Sequence, residues 1–422
     1  ESALLLDPSR QELRDAFADV TLARLLAAER NHRKEEQAEL LERLRAYDAS
    51  GTRLRWLEAP ATLSVTSQPA ASRVSLRRYD AQGRLQDEEL APGALPLPEL
   101  SLAPGSYLLE LRHEGHAPVR LPLVARRGER LSLHLPLPPE RALPPGFLYV
   151  PEGTAALGFA GDEDVRRGFF GTSPLHEVRT GPYLIGRTEV TFAEWMEYLR
   201  ALPAPERARR MPRGRTLRNS LELRELASGR FELTLQPTIH AYRAEEGAPL
   251  RYQGRQRRAE QDWRRFPVSA ISFEDALAYA SWLDATGRVP GARLCDEHEW
   301  ERAARGADAR PFPGGSVLAP DDANMDVTYG REPLAFGPDE VGAHPASTSP
   351  VGAVDLAGNV WELTVSVTNA AQPMLRGGSW YQGELTSRSM NREPQERTAR
   401  DPLIGLRLCA SLPSGVLDAA RP

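Results

Sequence analysis

A chain of 422 residues is too long for one small core and points to two or three folded units. With 41% hydrophobic and 26% charged residues it has an ordinary globular composition, and no apolar run approaches the roughly 18 residues of a membrane span. A formal net charge of −5 and a pI near 6.0 give no reason to expect nucleic acid or an anionic membrane as partner.

Residues 1–50 read as a helical pair. Leu13, Phe17, Val20, Ala23, Leu26 and Ala27 recur at three- and four-residue steps, Leu40, Leu41 and Leu44 continue the stripe, and Pro8-Ser9 can start the first helix. Such a pair resembles one repeat of a helical array or a stalk, and must dock on something to bury its apolar face. The chain opens at Glu1 with neither a starting methionine nor a signal peptide, which reads as a fragment or a processed product.

Over 58–138 the period changes to two. Residues 61–66, 73–76, 106–111 and 131–135 are short alternating runs separated by Gln82-Gly83, Pro104-Gly105 and Arg127-Gly128, a pattern that predicts a small β-sandwich. Leu102-Ala103-Pro104-Gly105-Ser106-Tyr107 followed by Glu114-Gly115-His116 resembles the PEGA type of spacer module. Prolines at 138, 139, 144 and 145 mark 139–146 as a stiff linker.

Two helix starts are legible further on. Ser272 can cap a helix whose first turn carries Glu274 and Asp275, and Asp296 with Glu299 has capping-box spacing before Trp300. Gly377-Gly378 sits where the backbone needs positive φ or a close approach. Residues 202–264 hold a hairpin, 221–224 with 231–235 around Ser228-Gly229, and then an aromatic and arginine-rich strip. The arginine clusters at 207, 209, 210 and 213 and at 255, 257 and 258 read as solvated faces. Cys295 and Cys409 lie in apolar, patterned segments and read as two buried free thiols.

Several separated segments then carry a family resemblance in the correct order. They are Leu148-Tyr149-Val150-Pro151-Glu152-Gly153, Glu189-Val190-Thr191, Pro267 to Ala276, Arg293-Leu294-Cys295-Asp296-Glu297-His298-Glu299-Trp300, Gly358-Asn359-Val360-Trp361-Glu362, Arg376-Gly377-Gly378-Ser379-Trp380 and Gly405-Leu406-Arg407. Residues 147–412 thereby resemble the formylglycine-generating, sulfatase-modifying family. The resemblance implies an α+β, C-type-lectin-like domain with little regular secondary structure, with 202–264 as an insertion. The order of helices, β-module and this domain also resembles the C-terminal region of large myxobacterial-type serine/threonine kinases, which would make an upstream kinase or other effector a partner.

The family oxidises a substrate cysteine with copper(I) held by two thiolates, a soft pair that suits this ion. The resemblance places those thiolates at Gln382 and Ser387, so no copper and no catalytic residue are expected. An iron-dependent branch uses histidines, of which the N-terminal helices supply only His32. Calcium survives as an implied structural cofactor, held by Asp355, the carbonyls of Gly358 and Val360, and Glu362, with a second site beginning at Asn324 and the Met325 carbonyl. The favoured reading is a non-catalytic recognition or sensor module. Its protein, peptide or small-molecule ligand would meet Tyr381, Gln382, Glu384, Thr386, Ser387, Arg388, Asn391 and Arg392, with Trp380 as a stacking floor. A non-haem iron oxidase and a structural spacer are the alternatives. Free thiols and the missing signal favour the cytoplasm.

Overall fold

Ten residues into the chain the apolar stripe becomes helix: α1 (Gln11–Arg30) folds back on α2 (Lys34–Tyr47), with Leu25, Ala28 and Leu40 between them. This computed structural model describes residues 10–412 except 32, 91, 92 and 98, together with residue 415, so Pro8-Ser9 and His32 lie outside the described residues. A short α3 (Thr52–Leu57) follows, fastened by Asp48, which accepts from the backbone of Arg53 and Leu54.

Seven strands come next: β1 (Ala61–Gln68), β2 (Arg73–Tyr79), β3 (Leu85–Glu89), β4 (Leu100–Leu102), β5 (Gly105–Arg112), β6 (Val119–Ala125) and β7 (Arg130–Pro136). In one sheet β1 lies between antiparallel β4 and parallel β7; the other runs β3-β2-β5-β6. Alternation along β1 turns Ala61, Leu63 and Val65 inward to share a core with Leu76, Leu109 and Leu121. This unit docks on both sides. Arg127 meets Glu29 of α1 and lies over the Trp56 ring, while Arg120 Nε donates to the Pro350 carbonyl at 3.0 Å and Arg310 stacks on Tyr79 at 4.1 Å.

Beyond the proline-rich stretch come β8 (Phe147–Val150), β9 (Gly153–Leu157), β10 (His176–Thr180) and β11 (Tyr183–Gly186). Helix α4 (Phe192–Ala201) then leads into the insertion, made of α5 (Ala204–Arg210), β12 (Arg213–Arg215), β13 (Ser220–Glu225), β14 (Phe231–Gln236), β15 (Tyr242–Glu245), β16 (Leu250–Arg251) and β17 (Glu260–Gln261). The expected hairpin is β13 and β14, within the sheet β12-β13-β14-β15. After it come α6 (Phe273–Ala285), β18 (Ala292–Leu294), α7 (Glu297–Arg305), β19 (Trp361–Val365), β20 (Pro373–Arg376), β21 (Glu393–Pro394), β22 (Ile404–Leu406) and β23 (Leu408–Ala410). Two small sheets, β18-β23-β11-β8 and β21-β20-β19-β22, form the centre of this part. The boxes Ser272/Asp275 and Asp296/Glu299 both close, so α6 and α7 begin where local chemistry starts them.

Of the arginines at 255, 257 and 258, read as a solvated face, Arg257 is exposed, Arg258 half-buried and Arg255 buried. Arg255 is buried between the rings of Tyr252 and Tyr329, 3.6 and 3.9 Å from their centres, and is ion-paired to Asp339. Arg257 and Arg258 both reach Asp321. Asp339 also accepts from Tyr329 at 2.7 Å and faces His344 Nε2 at 2.8 Å, so this network fastens the insertion to the loop at 321–344.

The cysteines are not free thiols either. Arg293 of β18 pairs with Cys409 of β23, which brings Cys295, just past β18, to 4.8 Å from Cys409 in Cα separation, and the two form a disulfide. Both are fully buried, so the apolar surroundings that suggested thiols are equally those of a core crosslink. Among the described residues no helix is long and apolar enough to cross a membrane.

Thiol titration of the unfolded, unreduced chain should find no free thiol. The Cys295→Ala/Cys409→Ala variant should lose about 2–5 kcal/mol of stability in denaturant melts. Two titratable thiols per chain would reverse the assignment.

Candidate functional site

The chain enters β19 through a turn whose backbone is unusual at three points. Asp355 and Asn359 have φ of 59° and 60°, and Gly358 has φ of 76° with its α-carbon pressed against the Asn324 carbonyl, where a side chain would collide. Asn324 is thereby brought onto this turn: its carbonyl accepts from the Asn359 N–H at 2.9 Å and its Nδ2 donates to the Gly337 carbonyl at 3.0 Å. Met325 donates its N–H to Thr328 Oγ1 and packs with Phe312 and Ala357. The residues expected at two separate cation sites are therefore neighbours.

Beneath the turn lies Arg407. Its Nη2 donates to Glu362 Oε1 at 2.7 Å and to the Val354 carbonyl at 2.8 Å, and its Nη1 to the Gly186 carbonyl at 3.0 Å. Trp300 Nε1 donates to Glu362 Oε2 at 2.6 Å. Two more carboxylates are buried here. Asp355 Oδ2 accepts from the Gly342 N–H at 2.5 Å, and Glu189 stands 3.8 Å from Arg407 with its Oε2 lacking any hydrogen-bond partner. Three carboxylates thus face one guanidinium. Burial pushes Asp355 up to about 6, with the Glu362 charge adding to the rise, and burial followed by the Asp355 charge raises Glu189 well above the carboxylate range.

Hard oxygens with an excess of negative charge suit calcium, and the unpartnered Glu189 oxygen marks where a cation would relieve the imbalance. Among the described residues no group of three or more His, Cys, Asp and Glu side chains is arranged to hold a metal ion. A cation at the turn would draw half its ligands from the Gly358 and Val360 carbonyls and share Glu362 with Arg407 and Trp300.

The loop after β20 is more closed than its sequence suggests. Gly377 and Gly378 have φ of 92° and 75°, and a Cβ on Gly378 would stand 2.8 Å from Ser387 Oγ. Ser387 is fully buried, its Oγ donating to the Gly383 carbonyl at 3.4 Å. Gln382 accepts from Ser379 Oγ through its side chain and from the Asp326 N–H through its carbonyl. Trp380 is buried against Phe336 and Tyr381, and Asn391 is buried with its Nδ2 donating to the Thr386 carbonyl at 2.8 Å. Arg392 is ion-paired to Glu297. Of the nine residues expected to meet a ligand, Glu384 is exposed, while Tyr381, Gln382, Thr386, Arg388 and Arg392 are half-buried.

The insertion reaches this loop, which sequence reasoning missed. Arg218, in the turn between β12 and β13, donates to Tyr381 Oη at 3.3 Å, and Tyr242 Oη of β15 donates to the Leu334 carbonyl at 2.7 Å, two residues from Phe336. The available signal was apolar residues at turn tips: Leu217 and Ile239 are both strongly exposed.

Comparison with known proteins follows this geometry. The model of the sulfatase-modifying factor enzyme 1-like domain matches residues 134–412. The inactive C-alpha-formylglycine-generating enzyme 2 of Bos taurus is 31% identical over 225 residues, covering 50% of this chain and 69% of its own length. The formylglycine-generating enzyme of Streptomyces coelicolor is 30% identical over 237 residues, 51% of this chain and 67% of that protein. A hercynine oxygenase of Mycobacterium tuberculosis is 35% identical over 137 residues, 27% of this chain and 29% of that protein. Among solved structures, PvdO from Pseudomonas aeruginosa aligns with a TM-score of 0.45 at 24% identity, covering 63% of this chain and 94% of that one.

The charge excess at the turn sets a pH dependence. The native state binds the Asp355 proton more tightly than the unfolded chain, so with calcium chelated stability falls as pH rises from the ordinary value of 3.8 to about 6. Asp355→Asn should therefore be more stable than the parent above that window, by roughly 1–3 kcal/mol, with the gain gone below about pH 4. Urea melts between pH 4 and 8 in chelator check this; a variant weaker at every pH would show the carboxylate to be a net stabiliser.

Proposed function

The chain belongs to the sulfatase-modifying factor enzyme 1-like family, and we propose that within it this protein is a non-catalytic recognition module rather than an oxidase. The observation that carries the reading is the pair Gln382 and Ser387. They stand where the family resemblance places the copper thiolates, and each is hydrogen-bonded into its own loop. Neither side chain offers sulfur to copper(I), and Cys295 and Cys409 are joined to each other in the core. The likeness to an inactive formylglycine-generating enzyme 2 supports the same reading.

In this proposal the scaffold presents loops to a protein, peptide or small-molecule ligand. Tyr381, Gln382, Glu384 and Thr386 would supply the ligand surface, and the insertion's Arg218, bonded to Tyr381, would extend it. Calcium at Asp355, Gly358, Val360 and Glu362 would neutralise the acidic excess and hold the turn on which Asn324 rests, without taking part in any reaction. A sensor feeding an upstream effector, a kinase in the architectures this one resembles, fits such a role.

The test supplies the full chain with copper(I), oxygen and a cysteine-bearing peptide, and follows the peptide by mass spectrometry. No aldehyde product and no stoichiometric copper are expected, with calcium near one per chain and a melting temperature lowered by chelation. Aldehyde formed faster than by a Gln382→Ala/Ser387→Ala variant, or iron bound one per chain, would overturn the reading.

A further inference from the structure

Among the described residues the buried guanidinium groups are spoken for, and the exception is a half-buried one. Arg255, Arg305, Arg376 and Arg407 each meet a carboxylate, and Arg302 donates to Thr180 Oγ1 and the Pro151 carbonyl. Arg388 is different. Among the described residues its side chain makes no hydrogen bond and no ion pair, and its Nε is buried without a partner. Its guanidinium lies over the Phe312 ring, 5.9 Å from the centre. The hydroxyl of the adjacent Ser389 is also buried and unpartnered.

Arg388 lines a cavity of about 560 Å³, within the range of small-ligand sites, whose walls include Phe159, Leu175, Pro311 and Met390. Of the two other arginines in the wall, Arg305 is neutralised by Glu301 at 2.6 Å and Arg33 is paired with Glu36 at 3.2 Å. Glu35 and Glu36, in the first turn of α2, also line the cavity, and Glu36 is shared by Arg24 and Arg33. Arg388 is the arginine of this wall that lacks an ion pair, and beside Phe159, Leu175 and Met390 it suits a planar anion with an apolar body, because a carboxylate accepts two parallel N–H bonds from a guanidinium. The neighbouring glutamates disfavour a dianion such as phosphate.

We propose that this cavity binds a monocarboxylate with a short apolar body, Arg388 taking the carboxylate while Phe159, Leu175 and Met390 enclose the carbon chain. A free branched-chain acid and the C-terminal leucine of a peptide offer the same chemistry. The site does not depend on whether the domain is catalytic, so it stands or falls apart from the function proposed above.

Calorimetry on the full chain would compare 4-methylpentanoate, an acetylated peptide ending in leucine, its C-terminal amide, and inorganic phosphate. Saturable one-site binding of the acid, the free-carboxylate peptide or both is expected, the preferred probe identifying the source, with neither amide nor phosphate binding. Arg388→Gln should weaken the preferred probe at least about tenfold. Leu175→Glu, which keeps Arg388 and places an anion in the wall, should abolish binding and covers the case in which Arg388→Gln does not fold. Absence of saturable binding by either carboxylate, unchanged affinity in both variants, or phosphate binding as tightly as the acid would overturn the proposal.

Discussion

The C-terminal part of this protein is organised around the buried contact of Arg407 with Glu362. Arg407 lies between β22 and β23, the point at which the chain leaves one central sheet and enters the other. Its guanidinium reaches Glu362 of β19, the Gly186 carbonyl at the end of β11 and the Val354 carbonyl ahead of the acidic turn, and Trp300 of α7 completes the bonding of Glu362. Three separate segments therefore meet one side chain, and a fourth joins through Glu362. Removing one partner from such a pair leaves a charge without water or counter-charge, a loss of about 3–5 kcal/mol in comparable cases. Among the described residues the two sheets share no strand pairing, and this contact is one buried link between them.

A frame fixed from inside leaves its loops free to change. The double-glycine turn at 377–378 still admits the segment from Ser379 to Ser387, yet the side chains there now bond to their own loop. The insertion is fastened by a second buried network, Arg255 with Asp339, Tyr329 and His344. His344 presents Nδ1 to the Asp321 carbonyl and Nε2 to Asp339, two acceptors that a doubly protonated ring satisfies together. Burial pulls its pKa down, but the hydrogen bond and charge of Asp339 raise it above the ordinary value. The insertion is thus fastened by a buried network of its own, and Arg218 from one of its turns reaches Tyr381.

Features that depend on residues close along the chain were legible without the fold. The capping boxes at Ser272 and Asp296 involve positions three apart, the hairpin of β13 and β14 turns at Ser228-Gly229, and positive φ at Gly377-Gly378 follows from glycine's missing side chain. Family membership was legible too, since its motifs are short and ordered. Of the loop residues chosen for a ligand, the choice could not separate exposed Glu384 from buried Ser387 and Asn391, because polarity suits both a solvated side chain and one bonded to its own loop.

Sequence by itself determined where the helices of the C-terminal part begin, which strands alternate, and that no thiolate stands at 382 or 387. Only the tertiary structure decided that Cys295 joins Cys409 across 114 positions, that Arg255 is buried between two tyrosines, and that Arg388 lines a cavity with no ion-pair partner of its own among the described residues. Each of these is a meeting of segments far apart in the chain, and a residue's type states which bonds it can make but not which distant partner the fold will bring within reach.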